Sequence, residues 1–127
     1  MKNIGWVDLT IENAEVTRDF YSDVMGWRPE PLDMGGYADY VMTDPATGDG
    51  LAGVCHARGV NAGIPPVWLV YFRVESVEKS MAAIVARGGE VLQGPRPAGG
   101  GRFVVARDPA GAVFAIAEGG DDAADSA

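Results

Sequence analysis

The sequence predicts an α+β fold in which one βαβββ module is used twice. Three observations carry this. A period-two strand hands directly to a helix at Gly5–Asn13 and again at Val67–Ser76. Asn13 and Ser76 lie 63 residues apart, as do Gly26 and Gly89, and the Asp-Pro turns at Asp44 and Asp108 lie 64 apart. Each copy then continues with three further strand patterns, and self-similarity at one offset is the mark of an internal duplication.

Length and composition set the bounds. The chain has 127 residues, one domain by size, or two small modules sharing a core. Hydrophobic residues make up 47% of it, which excludes a wholly disordered chain. No apolar run reaches the ~18 residues of a membrane span, and the N-terminus lacks a charged-then-apolar signal pattern, so no membrane partner and a cytoplasmic location are expected. Cys55 is the only cysteine, leaving no internal disulfide and no cysteine-based zinc knuckle. The net charge of -8 argues against nucleic acid, which requires a basic face. It suits a cationic small ligand, although Glu118, Asp121, Asp122 and Asp125 form an acidic tail that serves solubility alone.

Taken in order, Val7, Leu9 and Ile11 alternate with Trp6, Asp8 and Thr10, the pattern of a half-buried strand. Asn13 is an N-cap for a helix over Ala14–Met25, with Val16, Phe20, Tyr21 and Val24 at helical spacing and Gly26 ending it in a left-handed conformation. Pro29, Pro31, Gly35 and Gly36 leave room for only a short extended piece. Strands at Ala38–Thr43 and Leu51–His56 flank the turn residues 44–50. Residues 58–66 form a connector between module one (about 4–57) and module two (about 67–118). The second module has a strand at Val67–Val74, an N-cap at Ser76, a helix over Val77–Arg87, a short strand at Glu90–Leu92, and strands at Arg102–Arg107 and Val113–Glu118. A flexible flap is expected over Gly94–Gly101, with Arg96 and Arg102 as anion contacts, and a disordered tail over 120–127.

The βαβββ module used twice, the Phe20-Tyr21 pair before Met25-Gly26-Trp27, and the Asp108-Pro109-Ala110-Gly111 turn before a final strand resemble the vicinal oxygen chelate superfamily. That group holds glyoxalases, bleomycin-resistance proteins and extradiol dioxygenases. The resemblance covers about Ile4–Glu118 and implies a curved eight-stranded sheet around a cup. In metal-using members the ligands come from the first and last strand of each module. Carried over, those positions fall on Trp6, Leu69, Ala115 and, within one residue, Ala52. Indole donates only, and Leu and Ala offer no donor atom, so no metal and no cofactor are expected.

Candidate ligand contacts follow from the same placement. Asp8 shares the face of Trp6 and could hold a cation or act as a base. Leu69, Tyr71 and Arg73 share a face of the second module's first strand, where Tyr71 and Arg73 could meet Asp8 or a ligand. Trp6 and Trp68 are aromatic platforms. His56, the only histidine, shares the face of Ala52 and Val54 at the rim, and Ala115 completes the set. Cys55 faces the other way from His56 and packs under a helix, which separates thiol from imidazole. Val70, Phe72, Val74, Phe114 and Ile116 pack against the helices.

The best reading is a metal-free small-molecule-binding protein that sequesters an aromatic or cationic ligand. The resemblance further implies a homodimer. One alternative is a lyase, isomerase or epimerase using acid-base catalysis; a second is a dimeric interaction module with a filled cup.

Overall fold

Each helix begins where a side chain takes over a free backbone donor. In the structure, a computed structural model that describes residues 3–119, Asn13 Oδ1 accepts the Val16 N–H at 3.3 Å and Ser76 Oγ accepts the Lys79 N–H at 3.2 Å. The elements are β1 (Ile4–Ile11), α1 (Ala14–Met25), β2 (Arg28–Asp33), β3 (Ala38–Thr43), β4 (Gly50–His56), β5 (Trp68–Arg73), α2 (Val77–Ala86), β6 (Glu90–Ala98), β7 (Gly101–Arg107) and β8 (Val113–Gly119), with one short 3-10 turn, Gly59–Asn61, before β5. This is an α+β fold, an eight-stranded mixed sheet with two helices, and each half reads β-α-β-β-β as expected. The tail expected over 120–127 lies outside the described residues.

The chain divides into two compact units. Among the described residues the first holds Val7–Trp68 and the second holds residues 3–6 together with 69–119. In the first unit the strand order is β2-β3-β4-β1, antiparallel except for the parallel pair β4–β1. In the second it is β5-β8-β7-β6, antiparallel except for the parallel pair β5–β8. The two orders are equivalent under the duplication.

Two strands are longer than their sequence suggests. Arg28–Asp33 pairs with β3 along its whole length, and β6 runs through Ala98 instead of stopping at Leu92. The Pro95–Gly101 stretch is therefore an arm of a β-hairpin, where a flexible flap was expected. Pro29 and Pro31 on β2, and Pro95 and Pro97 on β6, sit on the outermost strand of their units. Proline at alternate positions is tolerated there, because the missing N–H groups are those that would point away from the neighbouring strand. Register shifts between Val91 and Gln93 and between Gln93 and Arg96 absorb the irregularity.

The helices pack differently. On α2 Val77 is fully buried against Val104 and Ile116, with Met81, Ile84, Val74, Val91 and Phe114 around them, while Val85 is exposed. Of the residues expected beneath the helices, Ile116, Val74 and Phe114 are there, whereas Phe72 is an exposed large hydrophobe beside Phe114. On α1, Ala14 and Tyr21 face Tyr40, Met42 and Val54, while Val16, Phe20 and Val24 remain 63%, 56% and 58% exposed. An apolar row at i, i+4, i+8 ordinarily faces the core. Here an aromatic trio sets the rotation of the helix. Gly26, at φ 73°, turns the chain so that Trp27 stacks on Tyr21, and the Trp68 indole N–H donates to the Tyr21 hydroxyl at 3.0 Å.

Gly94 is left-handed at φ 98°, and a Cβ there would lie 2.7 Å from the Phe103 carbonyl oxygen. Gly94→Ala is expected to lower stability by about 1–3 kcal/mol, read as a lower urea midpoint at unchanged m-value.

Candidate functional site

In the first unit, the packing of Val54 and Tyr40 with Ala14 defines the face of the strands that looks toward α1. Side chains alternate across a strand, so Ala52, Val54 and His56 of β4 share that face. The expectation that Ala52 and His56 line a ligand-facing surface is corrected accordingly. Residues 51, 53 and 55 are the ones that look the other way. His56 is buried, with Nε2 3.2 Å from a carboxylate oxygen of Glu15 in the first turn of α1 and Nδ1 3.5 Å from Asp39 Oδ1. Trp68 likewise lies with Tyr21 and Trp27 on the α1 side, as part of the core around the helix.

On the opposite face a polar row crosses three strands. Thr10 of β1 stands beside Cys55 of β4 in the parallel ladder. Antiparallel pairing of Tyr40 with Val54 places Asp39 of β3 across from Cys55. Asp8, two residues before Thr10, stands beside Gly53, so it shares this face as expected. Asp39 and Thr10 are buried, and Asp39 Oδ1 accepts the His56 backbone N–H at 2.8 Å. Burial pushes the Cys55 thiol far above its usual range, and the charges of Asp8 and Asp39, with a hydrogen bond to Asp39, push it further in the same direction. A thiolate here is disfavoured, and Cys55 lies on the face away from α1, where a place under the helix was expected. It belongs to the acidic face.

Behind this face the site is held by residues that sequence reasoning missed. The Tyr40 hydroxyl donates to Glu15 Oε2 at 2.8 Å. That bond, followed by the contact with His56, holds the Glu15 carboxyl below its usual value, and the same pairing raises the Tyr40 phenol. Tyr37 sets its ring edge against His56 at 5.4 Å, and Arg58 lies 4.2 Å over the Tyr37 ring. The available signal was Glu15 itself, which stands 63 residues before Glu78, at the same place in the second helix.

In the second unit, Tyr71 pairs with Ala115 and Arg73 with Ala117, so Leu69, Tyr71, Arg73 and Ala115 share one face. Tyr71 lies 5.7 Å from the Phe103 ring, and the Arg96 guanidinium is 5.3 Å over that ring. Leu69 and Ala115 are 1% and 0% exposed, while Trp6 on β1 is half-buried. Arg102, expected as an anion contact, is instead held on the α2 side. It donates to Glu78 at 2.6 and 2.8 Å and to Glu118 Oε2 at 2.8 and 3.2 Å. Those two carboxylates raise its pKa and are themselves lowered, Glu118 chiefly by the Val77 backbone N–H it accepts at 2.7 Å.

The family model of the Glyoxalase/Bleomycin resistance protein/Dioxygenase superfamily matches residues 3–116. The chain belongs to this superfamily. It is similar to the anthracycline biosynthesis protein DnrV of Streptomyces peucetius, 30% identical over 118 residues, covering 91% of this chain and 41% of that protein. A putative glyoxylase of Mycobacterium bovis is 30% identical over 112 residues, covering 87% and 42%. The chain thus spans less than half the length of these curated relatives. Among solved structures, the Mn(II)-bound glyoxalase from Novosphingobium aromaticivorans matches with TM-score 0.58 at 17% identity, over 92% of this chain and 38% of that one. Methylmalonyl-CoA epimerase from Mycobacterium tuberculosis matches with TM-score 0.52 at 16% identity, over 92% and 87%. At these identities the structures share the fold.

At the positions that the family resemblance assigns to metal ligands, the chain carries Trp6, Leu69, Ala115 and, within one residue, Ala52. Trp6 offers an indole N–H, and Leu69 and Ala115 offer closed aliphatic surface. Among the described residues no group of three or more His, Cys, Asp or Glu could hold an ion. The side chains of Leu69 and Ala115 supply no donor atom for a divalent metal.

Two expectations follow. With its thiol held protonated, Cys55 should react with iodoacetamide at pH 8 far more slowly in the folded protein than in urea; equal rates would contradict the geometry. The lowered Glu15 carboxyl contributes stability that is present above its unfolded value near 4.5 and lost as pH falls through the folded value. Glu15→Gln should lower the melting temperature at neutral pH and flatten its decline on acidification, checked by melting curves across the acid range.

Proposed function

We propose that this chain is a metal-free small-molecule-binding member of the superfamily, taking an aromatic ligand that carries a cationic group. The observation that carries the reading is the chemistry of Leu69 and Ala115, buried aliphatic residues where the family resemblance assigns metal ligands. Pockets with apolar and aromatic walls and few polar groups bind by shape and stacking. In this reading Trp6, Tyr71 and Arg73 of one unit and Asp8 of the other are the candidate contacts. The acidic face at Asp8 and Asp39 favours a cation over an anion. An anthracycline, a fused aromatic system bearing an amino sugar, combines both features, in keeping with the name of the Streptomyces relative.

Binding is tested by tryptophan quenching during titration with an anthracycline, with and without EDTA. The expected result is saturable quenching, indifferent to chelator, and weakened about tenfold in Asp8→Asn. A requirement for divalent metal would overturn the reading. The second reading, an isomerase, epimerase or lyase working by acid-base chemistry, rests on the same carboxylate. It takes precedence if a bound ligand is converted and conversion is lost in Asp8→Asn while binding persists.

The homodimer belongs to this proposal as well. The resemblance to a superfamily whose members commonly pair modules between or within chains supports it. Sedimentation at micromolar concentration should give twice the chain mass of 13.3 kDa.

A further inference from the structure

The outward side of α1 carries two parallel rows. Val16, Phe20 and Val24 form one and are more than half exposed. Glu15, Asp19 and Asp23, each one residue earlier, form the other and are exposed as well. Residues four apart on a helix are neighbours, so each row is continuous over two turns. Arg18, the only basic residue of the helix, is turned inward, donating to Asp19 with its guanidinium over the Tyr40 ring. The exposed half of α1 is thus apolar along one side and anionic along the other.

We propose that this face docks a cationic amphipathic helix of a protein partner, whose apolar row covers Val16, Phe20 and Val24 and whose Lys or Arg row meets Asp19 and Asp23. Two features select this occupant. The apolar row is on the order of a few hundred Å². That falls short of the roughly 800 Å² per partner of a stable protein interface, but it is enough to seat three side chains of one helix. Charge decides the rest. A second copy crossing antiparallel on the apolar row would set one acidic row against the other, and the chain carries a net charge of -8. An anionic lipid surface meets the same repulsion. A basic helix meets none.

The probe is a fluorescein-labelled synthetic peptide of about 20 residues, with leucines at i, i+4 and i+8 and lysines along the neighbouring row. Titration with the full chain, followed by anisotropy, should give saturable binding that weakens as salt rises from about 0.05 to 0.3 M. Phe20→Ser with Val24→Ser should weaken it about tenfold, and Asp19→Asn with Asp23→Asn should weaken it severalfold and flatten the salt dependence. All four side chains are exposed, so melting curves should show both variants folded, and each pair tests the surface alone if the other fails to fold. Equal affinity in the variants would place the peptide elsewhere and overturn the proposal. So would a wild-type dimer dissociated by Phe20→Ser with Val24→Ser, which makes a second copy the occupant, or flotation with anionic vesicles that the same variant abolishes. Neither Phe20 nor Val24 belongs to the proposed ligand site, so failure here leaves that reading standing.

Discussion

In each half of the chain, a glutamate in the first helical turn is tied to the strands of its own half, and the placement of the remaining groups depends on that tie. Glu78 takes two hydrogen bonds from Arg102, which also holds Glu118, whose other oxygen accepts the Val77 N–H at the start of α2. Glu15 takes the Tyr40 hydroxyl and contacts His56. The positions correspond, but the chemistry does not. Charge-assisted bonds near a helix start satisfy donors that the helix leaves unpaired and align with its dipole. The two halves meet the same geometric requirement with different residues.

This difference shapes the two sheet faces. In the second unit the tie consumes Arg102 and Glu118 on the α2 side, and Leu69, Val105 and Ala115 close the other side with apolar surface. In the first unit His56 goes to the helix side, and Asp39 sits where its carboxylate reaches both the His56 backbone and the face carrying Cys55 and Asp8. Each unit carries its own polar groups away from its helix: Asp8, Asp39 and Cys55 in the first, Tyr71 and Arg73 in the second. In the first unit that face presents the carboxylates of Asp8 and Asp39 beside a thiol that burial and those charges hold above its usual pKa.

Much of the architecture was legible because it is written locally. Asn13 and Ser76 cap their helices, Gly26 adopts the left-handed turn, and Asp108 Oδ1 accepts the N–H groups of Ala110 and Ala112 within its own turn. Such signals need only a few neighbouring residues. The outer strands were harder to read, because Pro29, Pro31, Pro95 and Pro97 are turn signals until it is known that a strand has one free edge. Likewise, the face on which His56 lies depends on register against α1, which no period within β4 specifies.

What the sequence determined by itself was the repeated βαβββ plan, the caps and turns, and the lack of donor atoms at Leu69 and Ala115. Each follows from residue type and short-range spacing. Tertiary structure alone decided which way α1 faces and which side of the sheet takes His56, Trp68 and Cys55. The apolar row of α1 has the spacing of a core face, yet Tyr21, locked between Trp27 and the Trp68 indole, turns the helix so that Val16, Phe20 and Val24 meet solvent. Periodicity fixes which residues stand together, and the contact of aromatic side chains 47 residues apart fixes where they point.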